Sequence, residues 1–451
     1  MSSSRSTAAW YDTRNKRGLY RRVENPVVSS PPPPLGDILL IMQLGDLGGR
    51  AKEFGETAKI VHARTVTSYN WMNKTASVPT ILVPGKPPLW TPQSVPSRLN
   101  EDSGSYFRDK NAARYPKHPM EPMVVVSLDA DPTIPSEVDI VACGSTLGNL
   151  LRFVRGEDKP FRILAYKVGN SVFLVRRENS PTELIPGVRG FGHAFPEANT
   201  TWEREVKGSA SYQRVIRYTF GGMELLVRFE ADGYIKEKNV PEPAASASGD
   251  TATEEEKAPL ASVDDLVSSL LTTTVSTADT SNPPGSNTLQ VKHGGSTVSQ
   301  SSLFDLKTRS IYTRGKRDIL AEELPRLWLR QIPNFILAYH TQGLFMTQDT
   351  EIKDAREEMK KWEHEHAAKL AKLAALLSWI KDVVVENSDA GGKVEICYSG
   401  GLKLEVRRQL EDAGEVLSAK VRERWEEGLQ RTVESKEKES YETEPDAREM
   451  E

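Results

Sequence analysis

The alternation of apolar and polar positions is clearest between residues 137 and 232. Short apolar runs bounded by turn residues predict strands, and apolar residues three and four apart predict helices. In chain order these elements are a strand at 138–144, a helix at 146–154, a hairpin of strands at 161–167 and 171–177, a helix at 205–218 and a strand at 223–232. This mixture of strands and helices predicts an α+β fold, with a mixed β-sheet core packed by helices.

A second patterned region follows residue 300. Its predicted elements are a strand at 302–308, a helix within 318–338 that Pro333 ends, a strand at 339–346, a long helix at 348–385 and a hairpin of strands at 393–398 and 402–408. The long helix has the strongest apolar stripe in the chain, which is more typical of core packing than of a cofactor site. The region therefore extends the predicted core.

Three segments lack this patterning and set the expected domain boundaries. Residues 1–34 are predicted to be a disordered basic arm, and residues 238–300, which contain no Phe, Tyr or Trp, a disordered insertion. Residues 410–451 are predicted to form a charged helix and an acidic tail. One domain at 35–409 remains. Within it, the prolines at 79–92 argue against a regular central strand.

Composition narrows the function classes. A formal net charge of −4 argues against binding nucleic acid by bulk positive charge, although a local site stays open. Cys143 and Cys397 are too few for a disulfide framework or a cysteine zinc site. The chain has no apolar run of the ~20 residues that a membrane helix needs. We expect a soluble intracellular protein, nuclear or cytoplasmic, without a membrane partner.

Candidate chemistry lies at two charged strand ends. Glu230 and Asp232 are two apart, as are Asp305 and Lys307, so each pair shares one face of its strand. If the two strands are neighbours, three carboxylates and one ammonium group meet. Such carboxylates repel each other unless a divalent cation neutralises them, and oxygen ligands of this kind suit Mg²⁺ or Mn²⁺. Taken alone, however, each motif is more typical of a solvated strand end.

The two strands look like the core of the PD-(D/E)XK nucleases, and residues 137–409 resemble, in order, the DXO family of RNA 5′-end decapping nucleases. The segments that carry the resemblance are 139–151, the hairpin at 161–177, residues 190–195, residues 206–232, residues 304–308, Trp328 with Gln331, and more faintly residues 68–70. The resemblance implies a mixed sheet packed by helices, with the active site in a cleft between them.

The resemblance also assigns roles. Asp232, Asp305, Glu230 and Glu197 would hold Mg²⁺ or Mn²⁺, with Glu203 as the rival of Glu197. Catalytic roles would fall to Lys307, Gln331 and Glu230, with Lys307 orienting water or offsetting developing negative charge. The implied function is metal-dependent hydrolysis at RNA 5′ ends, which removes incomplete or noncanonical caps, with 5′-to-3′ exonuclease activity as a further option.

The chain departs from the family in two places. Asp305 replaces a glutamate, which is chemically tolerable. Where the family has a Trp-Arg-Gly run, this chain has Cys143-Gly144-Ser145, so an arginine expected to contact phosphate is missing, and Arg152, Arg155 or Arg189 would have to substitute. The alternative hypothesis is therefore a catalytically weak scaffold of the same fold, which binds RNA or a partner 5′-to-3′ exoribonuclease.

Overall fold

The computed structural model describes residues 29–72, 78–236, 288–387 and 391–442, and the backbone of residues 275–276, with side chains as far as residue 430. The predicted arm up to residue 28, the insertion at 238–274 and 277–287, and the tail at 443–451 lie outside these described residues. The described residues form a mixed α+β fold, and this confirms the predicted fold class.

Nineteen strands occur in the described residues. They are β1 (Ile38–Gln43), β2 (Val61–Met72), β3 (Thr80–Val83), β4 (Leu89–Trp90), β5 (Ser97–Arg98), β6 (Ile140–Cys143), β7 (Phe161–Val168), β8 (Ser171–Arg176), β9 (Thr200–Thr201), β10 (Ser209–Phe220), β11 (Met223–Glu230), β12 (Gly233–Tyr234), β13 (Val275–Ser276), β14 (Gln290–His293), β15 (Leu303–Ser310), β16 (Asn334–Thr341), β17 (Leu344–Asp354), β18 (Lys393–Tyr398) and β19 (Lys403–Arg408).

Ten helices accompany the strands in the same part of the chain. They are α1 (Leu47–Arg50), α2 (Lys110–Arg114), α3 (Glu121–Ala130), α4 (Ile134–Glu137), α5 (Gly144–Arg155), α6 (Ala194–Asn199), α7 (Ile319–Arg330), α8 (Arg356–Glu365), α9 (Ala367–Glu386) and α10 (Ala419–Glu442). None of the described helices is long and apolar enough to span a membrane.

The strands form two mixed sheets rather than one. The large sheet has the order β1-β19-β18-β7-β8-β6-β11-β10-β2-β3-β14-β13, and the small sheet has the order β5-β17-β16-β15-β12-β4-β9. Strand β11 lies within the large sheet and β12 within the small one, and only Ala231 and Asp232 separate them. The chain thus crosses from one sheet to the other at Asp232.

Several predicted elements are confirmed. Strand β6, helix α5, the β7–β8 hairpin, strand β11 and the β18–β19 hairpin all occur where the pattern placed them. Their apolar residues pack into two large buried clusters, one on each face of the large sheet. In β11, for example, Val227 belongs to one cluster and Leu226 to the other. Because both faces of β11 are covered, its sequence is a near-continuous apolar run.

The helix predicted at 205–218 is wrong, because β10 occupies most of this segment. Strand β10 lies between β2 and β11. Its faces are both buried, with Ile216 in one core and Val215 in the other, and the polar Gln213 and Arg214 are buried as well. Burial on both sides removes the simple apolar–polar alternation from which a strand is recognised.

The boundaries predicted after Pro333 are also wrong. The strand predicted at 339–346 spans a turn in which Gln342 and Gly343 both have positive φ, and this turn joins β16 to β17. The long helix predicted from residue 348 begins only at Arg356, since β17 continues to Asp354 and its residues 350–354 pair with β16. Its remaining length forms α8 and α9, which are separate helices that meet at His366.

Three segments predicted to lack regular structure take part in the fold. Strand β3 lies between Pro79 and Pro84 and pairs with β2 on one side and β14 on the other, because the prolines flank the strand instead of interrupting it. Strand β14 belongs to residues 288–300, which were predicted as insertion. Residues 29–34 of the predicted arm also contact the core, since Arg162 donates to the carbonyl oxygens of Pro33 and Pro34.

Candidate functional site at the junction of the two sheets

The crossing between the sheets brings the two charged motifs together. Strand β12 pairs antiparallel with β15, with Gly233 opposite Phe304. The amide of Leu306 donates to Asp232 Oδ2 at 2.7 Å, and the amide of Asp232 donates to the Phe304 carbonyl at 3.3 Å. Asp232 and Asp305 are therefore neighbours, as the sequence predicted for adjacent strands.

The two aspartates have different electrostatic environments. Burial and the neighbouring charge of Asp305 raise the pKa of Asp232 to about 6. Burial also acts on Asp305, but Arg326, Lys307 and Arg330 outweigh it and hold the pKa of Asp305 below its ordinary value. A hydrogen bond with Asp232 lowers it further. Asp305 is therefore ionised near neutral pH, whereas Asp232 keeps its proton to a higher pH than an ordinary aspartate does.

Helix α7 supplies the guanidinium groups. It connects β15 to the parallel strand β16, and Arg326 and Arg330 lie one helical turn apart on one face. Arg326 Nη2 pairs with Asp305 Oδ1, and Arg330 Nη1 lies 3.3 Å from Asp305 Oδ2. Asp305 is only 1% exposed. Each oxygen of this buried carboxylate thus contacts a different arginine.

Glu230 is paired from the other side of the site. Lys110 Nζ, at the start of α2, lies 2.6 Å from Glu230 Oε1. Glu230, and to a smaller extent Asp232, raise the pKa of Lys110. Arg114 follows one turn later on α2, where it donates to the Met72 carbonyl; burial lowers the pKa of its guanidinium, and Glu230 offsets part of this effect.

The other two predicted catalytic residues have different positions. Lys307 Nζ lies 3.8 Å from Asp305 Oδ1, so Lys307 belongs to the cluster. Gln331 ends α7 with a positive φ of 52°, and its side-chain amide donates to the Trp328 carbonyl of its own helix at 2.6 Å. The side-chain amide of Gln331 thus caps the end of the helix. The catalytic role predicted for Gln331 stays a prediction.

Glu197 and its rival Glu203 have contacts of their own, and both stay predicted ligands. Glu197 is an exposed residue of α6 and lines a surface pocket of about 380 Å³ with Asp102 and Tyr106. Glu203 accepts a hydrogen bond from the Tyr234 hydroxyl at 2.6 Å and pairs with Lys86 at 2.7 Å.

The carboxylates do not fit Mg²⁺ or Mn²⁺ as they are arranged. Within the described ranges, no group of three or more His, Cys, Asp or Glu side chains is placed to hold a metal ion. Both oxygens of Asp305 contact arginines, and Asp232 Oδ2 accepts from the Leu306 amide. Hard divalent cations need about six oxygen ligands. The predicted metal site remains a prediction that this packing does not favour.

Sequence reasoning missed the basic half of the site. Arg326 and Arg330, like Lys110 and Arg114, are basic pairs at a four-residue spacing, and this signal marks one face of a helix. The arginines proposed as substitutes have other contacts: Arg152 donates to Asn149, and Arg155 pairs with Glu157. Arg189 is exposed.

Comparison with solved structures agrees with the fold. Rai1 of Scheffersomyces stipitis, in complex with (3′-NADP)⁺ and a calcium ion, matches with 11% identity over 88% of this chain and 99% of its own, at a TM-score of 0.50. S. pombe Rai1 in complex with 3′-FADP has 11% identity over 82% of this chain and 99% of its own, at 0.48. Dxo1 of K. lactis, in complex with manganese, has 9% identity over 85% and 96%, at 0.42. The chain has a divergent DXO-like fold.

Its family is defined by sequence. Residues 56–399 match the model of a family described as a domain of unknown function, DUF8563, and the chain belongs to this family. No curated protein matches it in sequence.

Proposed function

We propose that this chain binds the phosphorylated 5′ end of RNA at the junction of its two sheets. The supporting observation is that basic side chains from three elements approach the same group of carboxylates. These side chains are Lys110 and Arg114 of α2, Lys307 of β15, and Arg326 and Arg330 of α7. Arginine and lysine are the side chains that pair with phosphate oxygens.

The fold supports a nucleotide ligand. The S. stipitis protein, which shares the fold, was crystallised with (3′-NADP)⁺. In this chain Lys307, Arg326 and Arg330 offset the negative charge of Asp305 that a phosphate group would meet. Arg326 and Arg330 each keep an Nε atom that is buried and has no hydrogen-bond partner among the described residues. These donors suit an anionic ligand better than a cation.

The proposed activity is binding rather than hydrolysis through a metal, since Asp305 is already paired with two guanidinium groups and Glu230 with the Lys110 ammonium group. A binding protein of this fold agrees with the scaffold hypothesis drawn from the sequence. Association with a 5′-to-3′ exoribonuclease remains a prediction. RNA binding would then be the chain's own contribution to such an assembly.

The test is a fluorescence anisotropy titration with labelled RNA that carries a 5′-monophosphate, 5′-triphosphate or 5′-hydroxyl group, in EDTA. We expect the phosphorylated RNAs to bind more tightly than the 5′-hydroxyl RNA, and Lys307→Gln to weaken binding by about tenfold, or ~1.4 kcal/mol. Lys381→Gln, which removes a lysine paired with Asp139 elsewhere, should change nothing. Equal affinity for all three RNAs would contradict the proposal.

A second candidate is the metal-dependent hydrolase that the resemblance implies. Glu230, Asp232, Asp305 and Lys307 lie together, and the side chain of Arg326 is 31% exposed, so it has room to move aside. The substrates would be RNAs with incomplete or noncanonical caps. Product release with Mn²⁺ or Mg²⁺, abolished by Asp232→Asn and by Asp305→Asn, would support it. Absence of release from capped and triphosphate RNA would exclude it.

A further inference from the structure

The contacts of Arg326 determine what can approach Asp305. Its Nη2 atom pairs with Asp305 Oδ1 and also lies 2.9 Å from Glu323 Oε2, one turn earlier on α7. Arg330 Nη1 contacts Asp305 Oδ2 at 3.3 Å and the Glu230 carbonyl at 3.5 Å. Arg330 therefore joins Asp305 to the end of β11, and Arg326 joins it to Glu323 of the same helix.

The acidic side chains at this position already have basic partners. Asp232, Asp305 and Glu323 interact with Lys307, Arg326 and Arg330, and Glu323 also pairs with Arg309 at 3.8 Å. A divalent ion would bring two further positive charges to a group in which the basic side chains are at least as many as the acidic ones. It would also have to displace a guanidinium from a carboxylate that is almost fully buried, and breaking a buried pair is costly.

The position of α7 makes this arrangement a property of the fold. The helix lies between two parallel neighbouring strands, and parallel strands need such a crossover, which places the helix against the sheet. Asp318 caps its first turn by accepting from the Ala321 amide at 3.0 Å. Arg326 and Arg330 thus come from a helix that is fixed at both ends.

We propose that Arg326, supported by Arg330, takes the place of a divalent cation at the Asp232–Asp305 pair, so that the site of this chain carries a built-in guanidinium and binds divalent metal only when that group is removed. This proposal concerns only the binding of divalent metal. Metal binding and RNA binding are measured separately, so either proposal can be contradicted without the other.

The test is a titration of Mn²⁺ into the full chain by isothermal titration calorimetry. We expect the Arg326→Gln variant to bind Mn²⁺ at least about tenfold more tightly than the wild type, because the substitution removes the guanidinium, and with it one positive charge, from Asp305 Oδ1. Arg326→Lys keeps the charge and should remain a weak binder. Arg317→Gln, which removes an exposed arginine paired with Glu322, serves as the matched control and should bind as the wild type does.

Two outcomes would overturn the proposal. One is equal Mn²⁺ affinity in wild type and Arg326→Gln. The other requires no substitution of Arg326: wild type that binds Mn²⁺ in the low micromolar range, with Asp305→Asn abolishing that binding, shows that a metal enters despite the guanidinium. The second outcome keeps the proposal testable even if Arg326→Gln does not fold.

Discussion

Asp232 and Asp305 are the same residue type in neighbouring positions, yet their pKa values move in opposite directions. Burial acts to raise the pKa of both residues. The direction of the net shift depends on which of them contacts the cationic side chains. Arg326 and Arg330 pair with Asp305, which stays ionised. Asp232 faces the charge of Asp305 instead and becomes the proton acceptor of the pair.

This asymmetry predicts how stability depends on pH. The folded pKa of Asp232, about 6, lies above the ordinary value of 3.8, so the folded state binds more protons than the unfolded state between these two values. The stabilisation from protonated Asp232 is therefore present below about pH 4 and is lost as pH rises through 6. Since Asp232→Asn cannot ionise, its unfolding free energy relative to wild type should increase over this window, by roughly 1 to 3 kcal/mol.

Urea unfolding of both proteins at pH 4, 5, 6 and 7 measures this difference. Titrating groups distant from Asp232 are shared by the two proteins and cancel when they are compared. A difference that stays constant from pH 4 to 7 would show that Asp232 is ionised throughout. Asp382→Asn, which removes a carboxylate from an exposed pair with Arg50, provides the control and should change the unfolding free energy only slightly.

At the scale of elements, the site depends on one helix that the sequence predicted only in part. The pattern placed a helix within 318–338 and noted Trp328 and Gln331, because these matched a known family. The Arg326–Arg330 spacing was equally visible, but a basic pair on a helix is usually solvent-exposed, and nothing in the sequence shows that its partner is Asp305. That contact arises from the β15–α7–β16 crossover, which is a tertiary feature.

The other elements show the same limit. The pattern located β11 and β15, which carry the carboxylates, because their apolar runs end in charge. It failed at β10, where burial on both faces hides the alternation. It also failed at β17, whose charged residues are typical of a polar helix; in the structure Asp349 and Glu351 pair with Arg314. The pattern of apolar and polar residues therefore located the strands whose apolar runs end in charge. It missed the strands whose burial or ion pairing depends on neighbouring strands.

The capping of α7 gives a prediction at this scale. Asp318 accepts from the Ala321 amide at 3.0 Å and so satisfies one of the unpaired donors at the start of the helix. Asp318→Ala should lower the unfolding free energy by about 1 kcal/mol, whereas Asp318→Asn keeps an acceptor and should cost only a few tenths of that. Urea denaturation measures both. Equal losses for the two variants would mean that charge, rather than the hydrogen bond, stabilises the helix start.

At the scale of the whole molecule, the site exists because the chain passes from the large sheet to the small one at Asp232 and the small sheet then receives β15 from 70 residues later in the sequence. Between these strands, the described chain is continuous from Thr288 to β15, so 15 residues before β15 are part of the described structure. Strand β14 pairs with β3, Arg214 donates to the Val298 carbonyl at 2.9 Å, and Gln300 donates to the carbonyl of Gln331 at 2.9 Å. The residues just before β15 therefore support both sheets.

This arrangement separates two parts of the predicted insertion. Replacing residues 241–284 by a linker of about 20 Gly and Ser residues should leave the melting temperature within a few degrees of wild type, because loop-closure entropy changes by only ~0.6 kcal/mol for each doubling of length. Of the described structure, this replacement removes only β13, a two-residue strand at the edge of the large sheet.

Replacing residues 288–300 by a linker of equal length is the matched comparison. It removes β14 together with the contacts to Arg214 and Gln331, so the melting temperature, followed by circular dichroism, should fall well below that of the first variant. Leu289, 8% exposed, would also be lost from the core. If the first replacement is the more damaging one, residues 241–284 contribute to the fold and the boundary of the insertion at residue 238 is misplaced. If only the second is damaging, the domain closes around β14, and the two carboxylate strands are held together without the segment that separates them in sequence.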